Sequence, residues 1–234
     1  MFGSGDVAGL IIVYAYVAFV IAAASRASKR FPGSYRKIIH ILIGNIVFLW
    51  WVFDDRWPMG LLAALPFVPV LLMATPNSPL RRKSLDPLRS ASAAGHSYGL
   101  VYYAVSWTIL AIFLFDDRMV AGIAIAAMSF GDGVGGLVGK RYGRRRLYHN
   151  KTYVGTIAVF LGTTVAALAV MAFYTFLSGS MPQLNVPPLD PLYAVAVAVL
   201  TGAYVAVVEL LSPGEYDNLI VPLSTAALLL LAGL

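Results

Sequence analysis

The sequence predicts an all-α integral membrane protein, a polytopic bundle of seven or eight transmembrane helices forming a single transmembrane domain over residues 1–234. Composition makes the first case. Of 234 residues, 59% are hydrophobic and only 12% are charged, whereas soluble domains carry about 25% charged residues. Mean hydropathy is +0.78. The apolar residues also fall into runs close to the roughly 20 needed to cross a bilayer. Seven or eight such runs consume most of the chain and leave no room for a second, soluble domain. The lack of cysteine excludes disulfides, thiolate metal sites and cysteine nucleophiles.

The spans read as 7–25, 36–53, 58–75, 97–115, 118–139, 153–178, 191–211 and 217–234. No cationic segment precedes the first, so it reads as a retained span and not a cleaved signal. The second opens on Arg36-Lys37 and ends at Phe53-Asp54-Asp55-Arg56. That turn echoes Phe115-Asp116-Asp117-Arg118 between spans four and five; aspartate capping explains the echo as well as an ancient duplication does. The fourth starts at His96-Ser97. The fifth carries Asp132 among Gly131, Gly133, Gly135, Gly136 and Gly139. Each glycine costs about 1 kcal/mol against alanine in a helix, which predicts a span broken at its inner end, as is tolerated where backbone lines a polar cavity. The spacings 131–135 and 135–139 also suit close helix packing. The sixth span opens on Lys151-Thr152, the seventh ends near Glu209, and the eighth opens on Asp217-Asn218.

The cations set an orientation. Fifteen of the 17 lysines and arginines fall between spans one and two, three and four, or five and six, and only Arg56 and Arg118 fall on the other face. By the positive-inside rule the rich face is cytoplasmic and the N-terminus lies outside. The basic balance, a pI near 9.6, is therefore mostly topology, and nucleic acid is not a partner. Even-numbered helices then begin at the cytoplasmic face, where a helix start favours anions such as phosphate.

Several polar residues there have ordinary readings. Arg36 and Lys37 can snorkel to headgroups, His40 can be a packed, hydrogen-bonded core residue, and Thr152 and Asp217 are good N-caps. His149 and Arg144 to Arg146 read as a solvated basic loop. Asp132 differs. Eight residues before Lys140, it lies about 12 Å inside if helical. A carboxylate there needs a cation, water or a metal; Lys140 and Lys151 are the nearby cations. Glu209 reads as closer to the surface. Carboxylates, glycine backbone and cations together suit a metal-bound polyphosphate. The Walker pattern, the kinase Asp-Phe-Gly and the His-Glu-x-x-His zinc motif are absent.

Four segments carry a resemblance: Arg36-Lys37-Ile38-Ile39-His40; Gly131 to Gly143; Lys151-Thr152-Tyr153-Val154-Gly155-Thr156; and Glu209 followed by Asp217-Asn218-Leu219 and Val221-Pro222. In that order they resemble the CTP-dependent polyprenol kinase group, comprising dolichol kinases, phytol kinases and CTP-dependent diacylglycerol kinases. The resemblance implies transfer of the γ-phosphoryl group of CTP to a membrane-dissolved lipid alcohol of dolichol, geranylgeraniol or phytol type. It implies a multi-pass protein in the bilayer, with Mg²⁺ or another divalent cation and an active site facing the cytoplasm. Asp132, Lys140 and Lys151 would be catalytic, with Asp132 as metal ligand or as the group that orients the hydroxyl. Gly131, Gly133, Gly135, Gly136, Gly139, Thr152, Gly155, Thr156, Arg36, Lys37, His40 and Asn218 would contact nucleotide and phosphate. Asp132, Glu209 and Asp217 would hold metal. Two other functions stay open: a CTP:lipid-phosphate cytidylyltransferase, although its Pro-Gly-His-Gly-Gly ending is missing, and a small-molecule transporter. The sequence sets no oligomeric state.

Overall fold

The structure is a computed structural model describing residues 2–30, 34–80, 85–86, 88–89, 97–181, 184, 186 and 189–234. Arg81, Arg82, Lys83 and His96, and the side chains of Lys29 and Arg30, lie outside the described residues. Eight apolar helices are described: α1 Ser4–Arg30, α2 Tyr35–Val52, α3 Pro58–Met73, α4 Gly99–Phe113, α5 Arg118–Tyr142, α6 Tyr153–Ser180, α7 Pro191–Leu211 and α8 Asp217–Leu231. By length and composition α1, α2, α5, α6 and α7 can cross a membrane, while α3, α4 and α8 are shorter. A helix of 15 residues, such as α4 or α8, extends about 22 Å, less than a hydrocarbon core of about 30 Å. The architecture is that of an all-α, multi-pass membrane protein.

α5 is the axis of the bundle. Residues Ile123 to Met128 have no exposed surface, as befits a helix apolar on every side. α6, α8, α2 and α7 pack around it. Their outward faces keep large apolar side chains exposed, among them Phe176, Leu200 and Leu231, as hydrocarbon solvent allows.

The break expected in the fifth span does not occur. α5 runs through all five glycines, and only its pitch changes, in a wider π-type turn over Ala127–Asp132. Packing outweighs propensity here. Side chains at Gly131 and Gly135 would collide with Thr163 and Val159 of α6, and one at Gly139 would come within 3.1 Å of the Gly155 backbone. Gly133 and Gly136 face the other way, against Ile41 and Lys37 of α2. The glycines thus form two smooth faces that admit two neighbouring helices close to one carboxylate. This is the small-xxx-small packing alternative.

Between α5 and α6 the expected basic loop contains a short antiparallel hairpin, β1 Arg146–Tyr148 with β2 Lys151–Thr152. His149 at its tip takes a φ of 47°, the left-handed conformation that a tight two-residue hairpin turn requires. The opposite end of the bundle is closed by buried Asp6. Its carboxylate accepts N–H bonds from Gly3, Asp54 and Asp55 at 2.9–3.1 Å. There the two Asp-Asp-Arg turns meet, through an exposed ion pair between Arg56 and Asp116.

Candidate functional site

Five elements deliver charge to one place. Lys37 comes from the first turn of α2, Asp132 from the π-type turn of α5, and Lys151 from β2 just before α6. Glu209 comes from the last turn of α7 and Asp217 from the first residue of α8. The three acids are only 3%, 4% and 6% exposed, and their carboxylate oxygens lie within 4.8 Å of one another. Lys37 Nζ donates to Asp132 Oδ2 at 2.5 Å and to the Asp132 carbonyl at 3.4 Å. Lys151 Nζ pairs with Glu209 and stands 3.8 Å from Asp217.

Two expectations are corrected here. Asp132 pairs directly with Lys37, not with Lys140 or Lys151. Glu209 is as buried as Asp132 and does not lie near the surface. Two ammonium groups contact the three carboxylates, and the cations Arg36 and Lys140 line the same cavity. Burial alone would lower the pKa of Lys151, but Glu209, Asp132 and Asp217 outweigh it and hold that pKa above the ordinary lysine value. Lys151 therefore stays cationic at neutral pH.

This cluster lies on the wall of a cavity of about 600 Å³. Thr152 caps α6 as the sequence predicts, its Oγ1 accepting from the Gly155 N–H at 3.1 Å. The start of α6, with Gly155 and Thr156, borders the cavity and turns the positive end of a helix dipole toward it. Arg36 and Lys140 also line it. Buried Arg36 Nη1 and Thr156 Oγ1 have no hydrogen-bond partner among the described residues.

Gly135, Gly136 and Gly139 line the cavity, while Gly131, Gly133, His40 and Asn218 do not. The glycines lie within a regular helix, where amides bond the preceding turn. They give the cavity a bare wall, not a cradle of free N–H groups. His40 is wholly buried, its ring 4.3 Å from that of Tyr103. Asn218 is buried against Ser106, which donates to its carbonyl at 2.7 Å. Asp217 is the first residue of α8, with Tyr216 at the cap position, so it is not the N-cap the sequence suggested. Ser212, Pro213 and Gly214 line the cavity unforeseen. Gly214, in the turn between α7 and α8, has a φ of 58°.

The donor set, three converging carboxylates, suits a hard divalent cation such as Mg²⁺, which favours carboxylate oxygens. Asp132, Glu209 and Asp217 are the residues that would hold one.

Comparison with known proteins gives a consistent set of relatives. The chain is 30% identical over 200 residues to phytol kinase of Synechocystis sp., covering 82% of this chain and 76% of the relative. It is 26% identical over 202 residues to phytol kinase 1, chloroplastic, of Arabidopsis thaliana. It is 28% identical over 200 residues to probable phytol kinase 1, chloroplastic, of Oryza sativa subsp. japonica. Each plant match covers 81% of this chain but only 63% and 61% of those longer proteins. No family model and no solved structure matches.

The glycine faces separate into a packing test. Gly135→Ala should destabilise the protein by about 1–3 kcal/mol through overpacking, because its methyl meets Val159 and the Gly155 carbonyl. Gly136→Ala meets the flexible end of Lys37, which can give way, so it should melt normally in detergent. Equal melting temperatures for the two variants would contradict this division.

Proposed function

The chain belongs to the phytol kinase family, and on that premise we propose that it is a lipid kinase moving the γ-phosphoryl group of CTP to the hydroxyl of a membrane prenyl alcohol. One observation carries the reading. In a chain 30% identical to a phytol kinase, five separate elements bring three buried carboxylates and two lysines to one cavity. CTP as donor is supported by the likeness of the four sequence motifs to CTP-dependent prenol kinases.

Phosphoryl transfer asks a protein for positioning and charge neutralisation more than for covalent chemistry. The alcohol oxygen attacks the γ-phosphorus as the bond to the β–γ bridging oxygen breaks. A prenyl monophosphate forms, nucleoside diphosphate leaves, and the hydroxyl proton passes to a carboxylate or to water. Lys37 and Lys151, now paired with the acids, are within a side-chain swing of the cavity and can take up β- and γ-phosphate oxygens. Arg36, Lys140, Thr152, Thr156 and the start of α6 hold the remaining anionic oxygens. Asp132, Glu209 and Asp217 would hold the divalent cation, which supplies neutralisation of the phosphate charge when bound. Among them Asp132 is placed nearest Lys37 and is the group best sited to orient or deprotonate the alcohol.

In this reading all eight helices belong to one catalytic domain, the three shorter ones completing the bundle across the bilayer. The site faces the cytoplasm and the N-terminus lies outside, an orientation supported by the cation distribution. Single cysteines at His149 and Asp116 test it. The first should label only from the cytoplasmic side and the second only from outside. Both labelling from one side would refute the orientation.

Asp132→Asn tests the chemistry. The amide keeps size and hydrogen bonding but cannot ligate metal strongly or accept a proton. Turnover should fall by about 10²-fold or more, with membrane insertion and melting retained, because Lys37 borders the cavity and can hydrate there. A structural salt bridge predicts the reverse: a destabilised protein with near-normal activity in the folded fraction. Lys151→Met should weaken nucleotide binding as well as turnover.

A further inference from the structure

The connection between α5 and α6 carries charge that the acidic site does not use. Arg141, Arg144, Arg145 and Arg146 are all exposed, and none of them lines the cavity. No acidic residue occurs from 133 to 189. None of the four arginines has an ion pair among the described residues. Four positive charges thus face outward with no carboxylate partner in the described chain.

These charges are held in a fixed place. The Gly143 N–H donates to the Gly139 carbonyl at 2.9 Å, and the Tyr153 N–H donates to the Arg145 carbonyl at 3.3 Å. A side chain at Gly143 would collide with the Thr152 hydroxyl, so the chain passes tightly over the start of α6. Arg146 pairs across the hairpin with Thr152.

The depth of that place follows from α6. Its 28 residues extend about 42 Å. That exceeds a hydrocarbon core of about 30 Å and matches the roughly 40–45 Å that includes both headgroup layers. Tyr153, its first residue, therefore stands at headgroup level. It also heads an exposed apolar stripe of Ile157, Leu161 and Val165, spaced four residues apart down the lipid-facing side of α6. Arg145 lies over the Tyr153 ring, 5.7 Å from its centroid. Arg141 lies 5.4 Å from the ring centroid of exposed Tyr142. Tyrosines at this depth are interfacial anchors, and the guanidinium groups stacked on them are set beside lipid headgroups.

We propose that Arg141 and Arg144 to Arg146 form a docking surface for anionic phospholipid headgroups, which tether the hairpin that delivers Lys151. Each clustered cation at a membrane surface strengthens attraction to anionic lipid about fivefold, and arginine meets paired phosphate oxygens with paired N–H groups. The proposal is independent of the phosphoryl-transfer reading, because it needs no nucleotide.

The full chain in nanodiscs of equimolar phosphatidylglycerol and phosphatidylcholine tests it. The protein is released into mild detergent, and the lipids that stay bound are counted by native mass spectrometry. Phosphatidylglycerol should exceed phosphatidylcholine about tenfold or more among them. Combining Arg144→Gln, Arg145→Gln and Arg146→Gln should lower that ratio about fivefold or more. Equal retention of the two lipids by the wild-type chain, or an unchanged ratio in the triple variant, would overturn the proposal. A phosphatidylglycerol with a diazirine in its headgroup gives a reading that needs no variant. Its adducts on the wild-type chain should concentrate on residues 141–148; adducts spread evenly over both ends of the bundle would contradict the assignment. Added CTP separates the two sources of phosphate. It should leave the bound phosphatidylglycerol in place, whereas displacement of that lipid by CTP would assign the arginines to the nucleotide and overturn the lipid surface.

Discussion

Three carboxylates within 4.8 Å of one another, nearly closed off from solvent, are the constraint around which this bundle is organised. Like charges at that separation repel by about 3–4 kcal/mol per pair at an effective dielectric of 20, before any cost of burial. Lys37 and Lys151 offset much of this, and each reaches the acids only because its element is held close. α2 can approach α5 because Gly133 and Gly136 present no side chains, and α6 because Gly131, Gly135 and Gly139 present none. The hairpin at 146–152 sets Lys151 at the entrance to α6, and the turn at 212–214 brings α7 and α8 together so that Glu209 and Asp217 face one another.

The same balance suits phosphoryl transfer. The cluster offers three carboxylates that a divalent cation would satisfy in place of the two ammonium groups. Lysines released from those partners are next to a cavity large enough for a nucleotide triphosphate. Arg36 and Thr156 line the same space.

Much of this was legible in the sequence. The helix ranges follow apolar runs, and α7 begins and ends where those runs predict. Asp132, Glu209 and Asp217 stood out because acids are costly in apolar surroundings. The Lys37–Asp132 pair was not legible, since 95 residues separate its members and only Lys140 and Lys151 were near in sequence. The continuous α5 was hidden for a related reason. Glycine propensity is a local quantity, whereas the packing that overrides it comes from α2 and α6. Ser212 and Pro213 carried no chemical signal, and the hairpin was too short and polar for alternation to show. His40 and Asn218 were singled out as site residues; both are buried, and neither lines the cavity.

The central claim is that this site transfers a terminal phosphoryl group to a prenyl alcohol. Its most direct test follows the phosphorus. Purified protein in nanodiscs is incubated with Mg²⁺, geranylgeraniol and either CTP or ATP, and the products are resolved by phosphorus NMR. The account predicts geranylgeranyl monophosphate and CDP in equal amounts, with CTP consumed faster than ATP. Pyrophosphate together with a cytidylyl-linked lipid, or intact nucleotide beside unchanged alcohol, would contradict it.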